Sequence, residues 1–235
     1  MKQITSRQRG WMIGVLVLCV TALGSGSAAW AVEDDLYQQA MDARYRGDLD
    51  QAFRLFERSV EEGVRVHDAY WEMGMILMDR GSSYRVMRQA LRLSPRMIEA
   101  FQEHIQEHPD DDWSWFRLAY IHELRSEAPG ILEWKEAEAA ILRALEIAPE
   151  NSFYLLHLGY IYYKMDIAEE AVTPLLGALE IDPGYWEVRY YLALSYLALG
   201  EKDQARTELR LVTDNVPRES DLFDRAEREL RKLGD

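Results

Sequence analysis

The sequence predicts an all-α protein, a stack of helix-turn-helix units forming an α-solenoid, and two observations carry that prediction. The first is a period of 34 residues: Pro149, Pro183 and Pro217 recur at that spacing, as do Ala137, Ala171 and Ala205, and Ile141, Leu175 and Leu209. At the front of the chain Ala40 and Gly74, and Gly47 and Gly81, repeat it. Self-similarity at this period marks stacked helical pairs. The second is composition. The 235 residues are 48% hydrophobic and 29% charged, with seven prolines, as expected of a soluble globular chain and not of a disordered or polytopic one.

The unit itself follows from residue types. Leu158-Gly159 and Tyr162 lie four apart on one helical face, and the small residue lets a neighbouring helix approach. A Gly or Asp turn (Asp166, Gly200) comes next. A second helix then places Ala171, Leu175 and Ala178 on one face, as it does Ala205, Leu209 and Val212. The proline closes the unit because it cannot continue the helix.

This pattern resembles the tetratricopeptide repeat family. Trp115-Phe116-Arg117-Leu118-Ala119 reproduces that family's Trp-x-x-Leu-small signature, and the likeness runs from about Glu33 to Pro217, most specifically over 112–217. It implies a right-handed solenoid with units at 32–66, 67–111, 112–151, 152–185 and 186–217. Residues 218–235 form a charged amphipathic capping helix that covers the last open face.

Two stretches depart from the period. Pro109 to Pro149 is 40 residues, and the excess falls in Arg125–Leu132, where Ser126, Pro129 and Gly130 read as a lengthened loop. Between Gly81 and Pro109 two short helical patterns, Tyr84–Leu93 and Met97–Glu107, flank Ser94-Pro95, so the second unit is expected to carry an extra helix. Pro174 falls early in a predicted helix, where a bend is expected instead of a break.

The N-terminus reads as an export signal over residues 1–31. Lys2, Arg7 and Arg9 precede an apolar run from Trp11 to Leu23, then a small-residue stretch ending Ala29-Trp30-Ala31, with cleavage expected after Ala31. The competing reading is an uncleaved inner-membrane anchor, since Trp11 to Val32 carries no charge. Gln8 between the arginines argues against a twin-arginine signal, and Leu18 before Cys19 against a lipoprotein. A periplasmic location follows from cleavage, and membrane contact only from its failure. The whole chain has 27 Lys+Arg against 41 Asp+Glu, net −14. Cleavage removes three basic residues and no acid, leaving 24 against 41, net −17, and no cysteine. Such a surface repels a phosphate backbone, so nucleic acid is not an expected partner.

The resemblance also implies which positions face inward: the second, fifth, ninth and twelfth of each unit. These are Tyr37 and Met41; Trp71, Met75 and Met78; Trp113, Phe116 and Tyr120; Phe153, Leu156, Tyr160 and Tyr163; and Tyr190 and Leu194. So continuous an aromatic and methionine lining is expected to be covered by something, unless tight winding buries it as core. Family members that grip a peptide carboxylate do so with inward Lys, Arg and Asn; apolar residues stand there in this chain. The expected partner is therefore a protein or peptide segment of the cell envelope, held by a non-enzymatic scaffold or adaptor without a cofactor. Two alternatives come from other classes: a periplasmic exopolysaccharide-secretion component whose rings stack on a glycan, or a self-assembling scaffold.

No other motif carries chemistry. His104 and His108 have a metal-compatible spacing but lack a third ligand, and His67, His122 and His157 read as isolated packing or surface residues. Asp110-Asp111-Asp112 reads as helix capping and not as a calcium loop. There is no phosphate loop, nucleophile elbow or His-Glu-x-x-His sequence.

Overall fold

Helix pairs turning on left-handed residues account for nearly the whole of the structure, a computed structural model that describes residues 27–81 and 84–234. Among the described residues there are eleven helices and no strand. They are α1 (Ser27–Tyr45), α2 (Leu49–Glu61), α3 (Val66–Asp79), α4 (Tyr84–Glu107), α5 (Asp112–Ser126), α6 (Trp134–Ile147), α7 (Ser152–Lys164), α8 (Ala168–Ile181), α9 (Trp186–Ala198), α10 (Lys202–Asn215) and α11 (Asp221–Lys232). Each packs on the helix before it and the helix after it, and α7 also meets α9. The result is a quasi-one-dimensional array. The predicted export segment lies largely outside the described residues. Ala29 and Ala31 fall on the helical backbone of α1. Among the described residues no helix is long and apolar enough to cross a membrane.

Local sequence explains the repeat of the turn. Gly47, Gly81, Asp166 and Gly200 occupy one register position, and all four have positive φ, between 61° and 89°. A left-handed residue after a helix closes its last turn, and Gly or Asp tolerates that conformation best. The eighth position of each unit is small: Ala40, Ala119 and Ala193 are fully buried, and Gly159 lies against Leu175. Asp111 caps α5, its carboxylate accepting from Ser114 N at 3.4 Å and Ser114 Oγ at 2.6 Å; Asn151 caps α7 and Ser220 caps α11. At the C-terminal end, Ala226 and Leu230 of α11 close over Leu209 and Val212 of α10. That burial covers the apolar face that a terminal repeat would otherwise leave open.

The structure corrects the second unit. Among the described residues it holds no extra helix: residues 84–107 form one 24-residue helix with Pro95 inside it. A proline at 95 removes the N–H that would bond the Leu91 carbonyl. The Ser94 hydroxyl takes its place, donating to Leu91 O at 3.1 Å, and itself accepts from Arg125 Nη1 at 2.8 Å. The freed carbonyl is thus satisfied and the helix continues. Helix α4 is ten residues longer than the 14-residue α6, or about 15 Å of added length at 1.5 Å per residue. Its second half supplies the buried Met97, Phe101 and Ile105 to the core, whereas the first half packs only the partly buried Val86, Ala90 and Leu93 against it. Helix α8 likewise runs unbroken through the buried Pro174.

Candidate interaction groove

The predicted inward stripe is not one continuous lining. Tyr37, Phe116, Leu156 and Tyr190 are buried. Met41, Trp71, Met75, Tyr120, Tyr160, Tyr163 and Leu194 are half-buried, and Met78, Trp113 and Phe153 are exposed. Ring packing between units closes the stripe. Phe116 stacks on Trp113 (5.0 Å between centroids) and Tyr154 (5.3 Å), with Phe153 at 4.9 Å. Arginines fill other gaps. Arg65 covers Tyr37 at 4.1 Å, and Arg117 lies 5.1 Å from the Trp71 ring and 5.3 Å from Trp113. Arg117 is held there by Asp68 Oδ1 at 2.6 Å. Burial pulls the Asp68 carboxyl upward, but hydrogen bonds from Arg117 and Arg65 and the neighbouring charges outweigh it and hold the group below the usual carboxylate range.

What remains open is concentrated in two adjoining pockets. The first, about 350 Å³, lies between α3, α4 and α5. Trp71, Met75 and Met78 of α3 face Val86, Met87 and Leu91 of α4, with Tyr120, Leu124 and Ala128 closing the third side. Arg125 also lines it, but its guanidinium is engaged by Glu133 (2.7 and 2.6 Å) and Ser94. Both departures from the 34-residue period meet here. The added turns of α4 make one wall, and the lengthened loop after α5 begins at Glu127 and Ala128 on its rim.

The second pocket, about 270 Å³, lies between α5, α7 and α9 and shares Tyr120, Leu124 and Glu127 with the first. Its polar groups are Glu123, Glu127 and Glu187 with His157. Glu123 is buried against His157 Nδ1 at 3.0 Å, and burial pushes its carboxyl up. For Glu127, the cost of burial is outweighed by hydrogen bonds from Lys164 (2.7 Å) and Tyr160 Oη (2.5 Å), which hold it low. Burial, then the Glu127 contact, pushes the Tyr160 phenol well above its ordinary value.

Residues 168–230 match the tetratricopeptide repeat family model, a stretch that overlaps the C-terminal half of the 112–217 region and extends into the capping helix. These residues carry tetratricopeptide repeats. Solved structures repeat the architecture. A thermophilic TPR protein from Thermus thermophilus superposes with a TM-score of 0.61 at 20% identity, covering 84% of this chain and 98% of that one. A MamA protein gives 0.59 at 18% identity (77% and 90%), and a tetratricopeptide repeat protein from Parabacteroides merdae gives 0.64 at 15% (86% and 73%). At these identities the likeness is one of fold. A TPR repeat-containing thioredoxin, TTL4, of Arabidopsis thaliana is 36% identical over 89 residues; the match spans 38% of this chain and only 13% of the plant protein.

The structure brings Trp71, Met75, Met78 and Tyr120 together in the first pocket, and Tyr120, Phe153, Leu156 and Tyr160 in the second. Tyr37, Met41, Trp113, Phe116, Tyr163, Tyr190 and Leu194 line neither. Sequence reasoning missed Leu124, although it stands one helical turn beyond Tyr120 on the same face. It also missed Val86, Met87 and Leu91, which could not be placed before the continuity of α4 was known. His67 is not isolated either: its ring stacks on His104 at 3.8 Å, and His104 lies 4.6 Å from His108. Among the described residues no three His, Cys, Asp or Glu side chains are grouped so as to hold a metal ion. Asp111 and Asp112 have structural roles, the first as the α5 cap and the second accepting from Tyr154 Oη at 2.7 Å.

Proposed function

We propose that this protein is an exported, non-enzymatic scaffold of the cell envelope that holds an apolar segment of a partner protein in the pocket between α3, α4 and α5. The tetratricopeptide fold is a protein-interaction scaffold. The observation that carries the narrower reading is where the chain departs from its own repeat: both departures contribute walls to one methionine-rich pocket. Regular packing needs neither addition. Methionine and aromatic side chains are suited to gripping an apolar segment, because they adapt in shape and present large apolar area. The basic, apolar, small-residue order of residues 1–31 supports export, and the acidic, thiol-free remainder suits an oxidising compartment. A sugar platform is less well supported. The faces of Trp71, Phe116 and Tyr120 are taken up by one another's neighbours and by Arg117.

The test is Met78→Arg combined with Leu124→Arg. Both side chains are more than two-fifths exposed (43% and 42%), so the fold is expected to survive. Co-purification of partner proteins from the native envelope should be lost while helicity and melting temperature are kept. Undiminished co-purification by the folded variant would refute the pocket as the docking site.

A further inference from the structure

We infer that the partner segment carries a lysine or arginine beside its apolar residues, and that this cation enters the tyrosine- and glutamate-lined pocket between α5, α7 and α9. The inference rests on the reading that a partner segment docks in the neighbouring apolar pocket, and it names that segment's chemistry.

The two pockets are contiguous. Tyr120, Leu124 and Glu127 border both, so a chain leaving the methionine-rich floor past Leu124 passes directly into the second. There the character of the wall changes. Glu123, Glu127 and Glu187 supply carboxylates, four tyrosines (Tyr120, Tyr160, Tyr185 and Tyr191) line the wall beside them, of which Tyr120 is already packed against Phe116 and Trp71, and among the described residues no Lys or Arg lines the pocket. Carboxylates beside aromatic faces form a site for an ammonium or guanidinium group, because both attract the same charge.

The protein's own cations already approach two of these rings, Lys164 at 5.7 Å from the Tyr160 centroid and Arg225 at 5.6 Å from Tyr191, but they leave carboxylate oxygens of the site open. Lys164 and the Tyr160 hydroxyl both bond Glu127 through Oε1, so Oε2 keeps its acceptor capacity. Glu187 is 47% exposed, and its cation, Arg225, stands 3.8 Å away. That guanidinium is drawn elsewhere: it bonds Tyr191 Oη at 3.2 Å, lies over the Tyr190 ring at 4.4 Å and faces Asp221 at 3.7 Å. The chain's net charge of −14 favours approach of a basic segment and disfavours an acidic one. Apolar floor and anionic end together therefore select a segment of matching polarity.

The experiment uses a phage-displayed library of random 12-residue peptides, selected on the full-length protein, followed by titration of the selected consensus as a synthetic peptide. The expected consensus has two or more large apolar residues next to a Lys or Arg. Its affinity should fall about fivefold to tenfold for Glu127→Gln with Glu187→Gln, the size expected for partly exposed charge pairs. It should be unchanged for Glu150→Gln with Glu219→Gln, which removes the same net charge from exposed positions outside the pocket. Selected peptides that are apolar but not enriched in Lys or Arg, or an equal loss in both charge variants, would overturn the inference and leave the apolar pocket standing. Failure to select any peptide, or binding insensitive to Met78→Arg with Leu124→Arg, would instead sink the docking reading, and the inference with it.

Discussion

Replacing Gly159 by alanine is expected to destabilise this protein, although alanine is the better helix former. The two effects can be weighed. In a helix interior Gly→Ala contributes about 1 kcal/mol in favour of folding. Against that, a Cβ at 159 would lie 2.5 Å from Leu175 Cγ, 2.6 Å from Cδ2 and 3.2 Å from Cδ1. Carbon atoms pack at about 3.5–4.0 Å, so the overlap is about 1 Å. Leu175 is fully buried and cannot swing aside. Overpacking of this kind costs about 1–3 kcal/mol, for a net loss of about 1 kcal/mol. Gly74 provides the control, because it occupies the same register position. There a Cβ meets only Met97 Cε at 2.9 Å and Sδ at 3.6 Å, the far end of a flexible side chain. Gly74→Ala should retain most of its gain. The two identical substitutions thus differ by about 1–2 kcal/mol, or several degrees in melting temperature at about 2–4 °C per kcal/mol. Thermal and urea unfolding followed by circular dichroism measures the difference. Leu175→Ala alone should cost about 2–5 kcal/mol, but in the Gly159→Ala background its cost should fall short of additivity by about 1 kcal/mol. Equal stabilisation at 74 and 159, or strict additivity at 159 and 175, would refute the close approach of α7 and α8.

Three further outcomes are expected. Asp111→Ala should cost about 1–2 kcal/mol in urea unfolding, since it removes the α5 cap and the acceptor of the buried Ser114 hydroxyl; Asp110→Ala, on an exposed neighbour, should stay within about 0.5 kcal/mol. Ser94→Ala should leave the Leu91 carbonyl without its hydroxyl donor, lower stability by about 1–2 kcal/mol, and speed amide exchange in α4 around Pro95 more than in α6. Burial lowers the His67 pKa to about 4; the Asp68 charge opposes this, while His104, Arg117 and Arg65 add to the lowering. The unfolded chain therefore takes up this proton first, so stability is fully present above about pH 6.5 and declines as pH falls towards 4. His67→Gln should flatten the change in urea midpoint between pH 7 and pH 5, and an unchanged slope would contradict the assignment.

The fold was legible because its signals are local and repeated. A left-handed turn residue, a small eighth residue and a closing proline each have a conformational or steric cause that acts within one unit or against the next. The second unit was not legible for an equally physical reason. Pro95 ordinarily ends a helix, and only the Ser94 hydroxyl on the Leu91 carbonyl, steadied by Arg125 from α5, lets α4 pass through it. That is a tertiary contact across 31 residues. The site was legible only in part. Helical register identifies the face on which Phe116 lies, but whether that face is open depends on rings brought by the following unit, Phe153 and Tyr154. Leu124 could have been found by extending Tyr120 one turn. The pocket wall from α4 could not, because it required the helix to be continuous.

The central claim, that a partner segment sits between α3, α4 and α5, is tested most directly by a photo-crosslinking side chain placed at Leu124 in the cells that make the protein. Leu142, on α6 and 38% exposed against 42% for Leu124, serves as the comparison position. Irradiation should yield one discrete adduct with a different envelope protein from position 124 and none from 142. The account would be contradicted by the same products at both positions, by an adduct with a second copy of this chain alone, or by no adduct at 124.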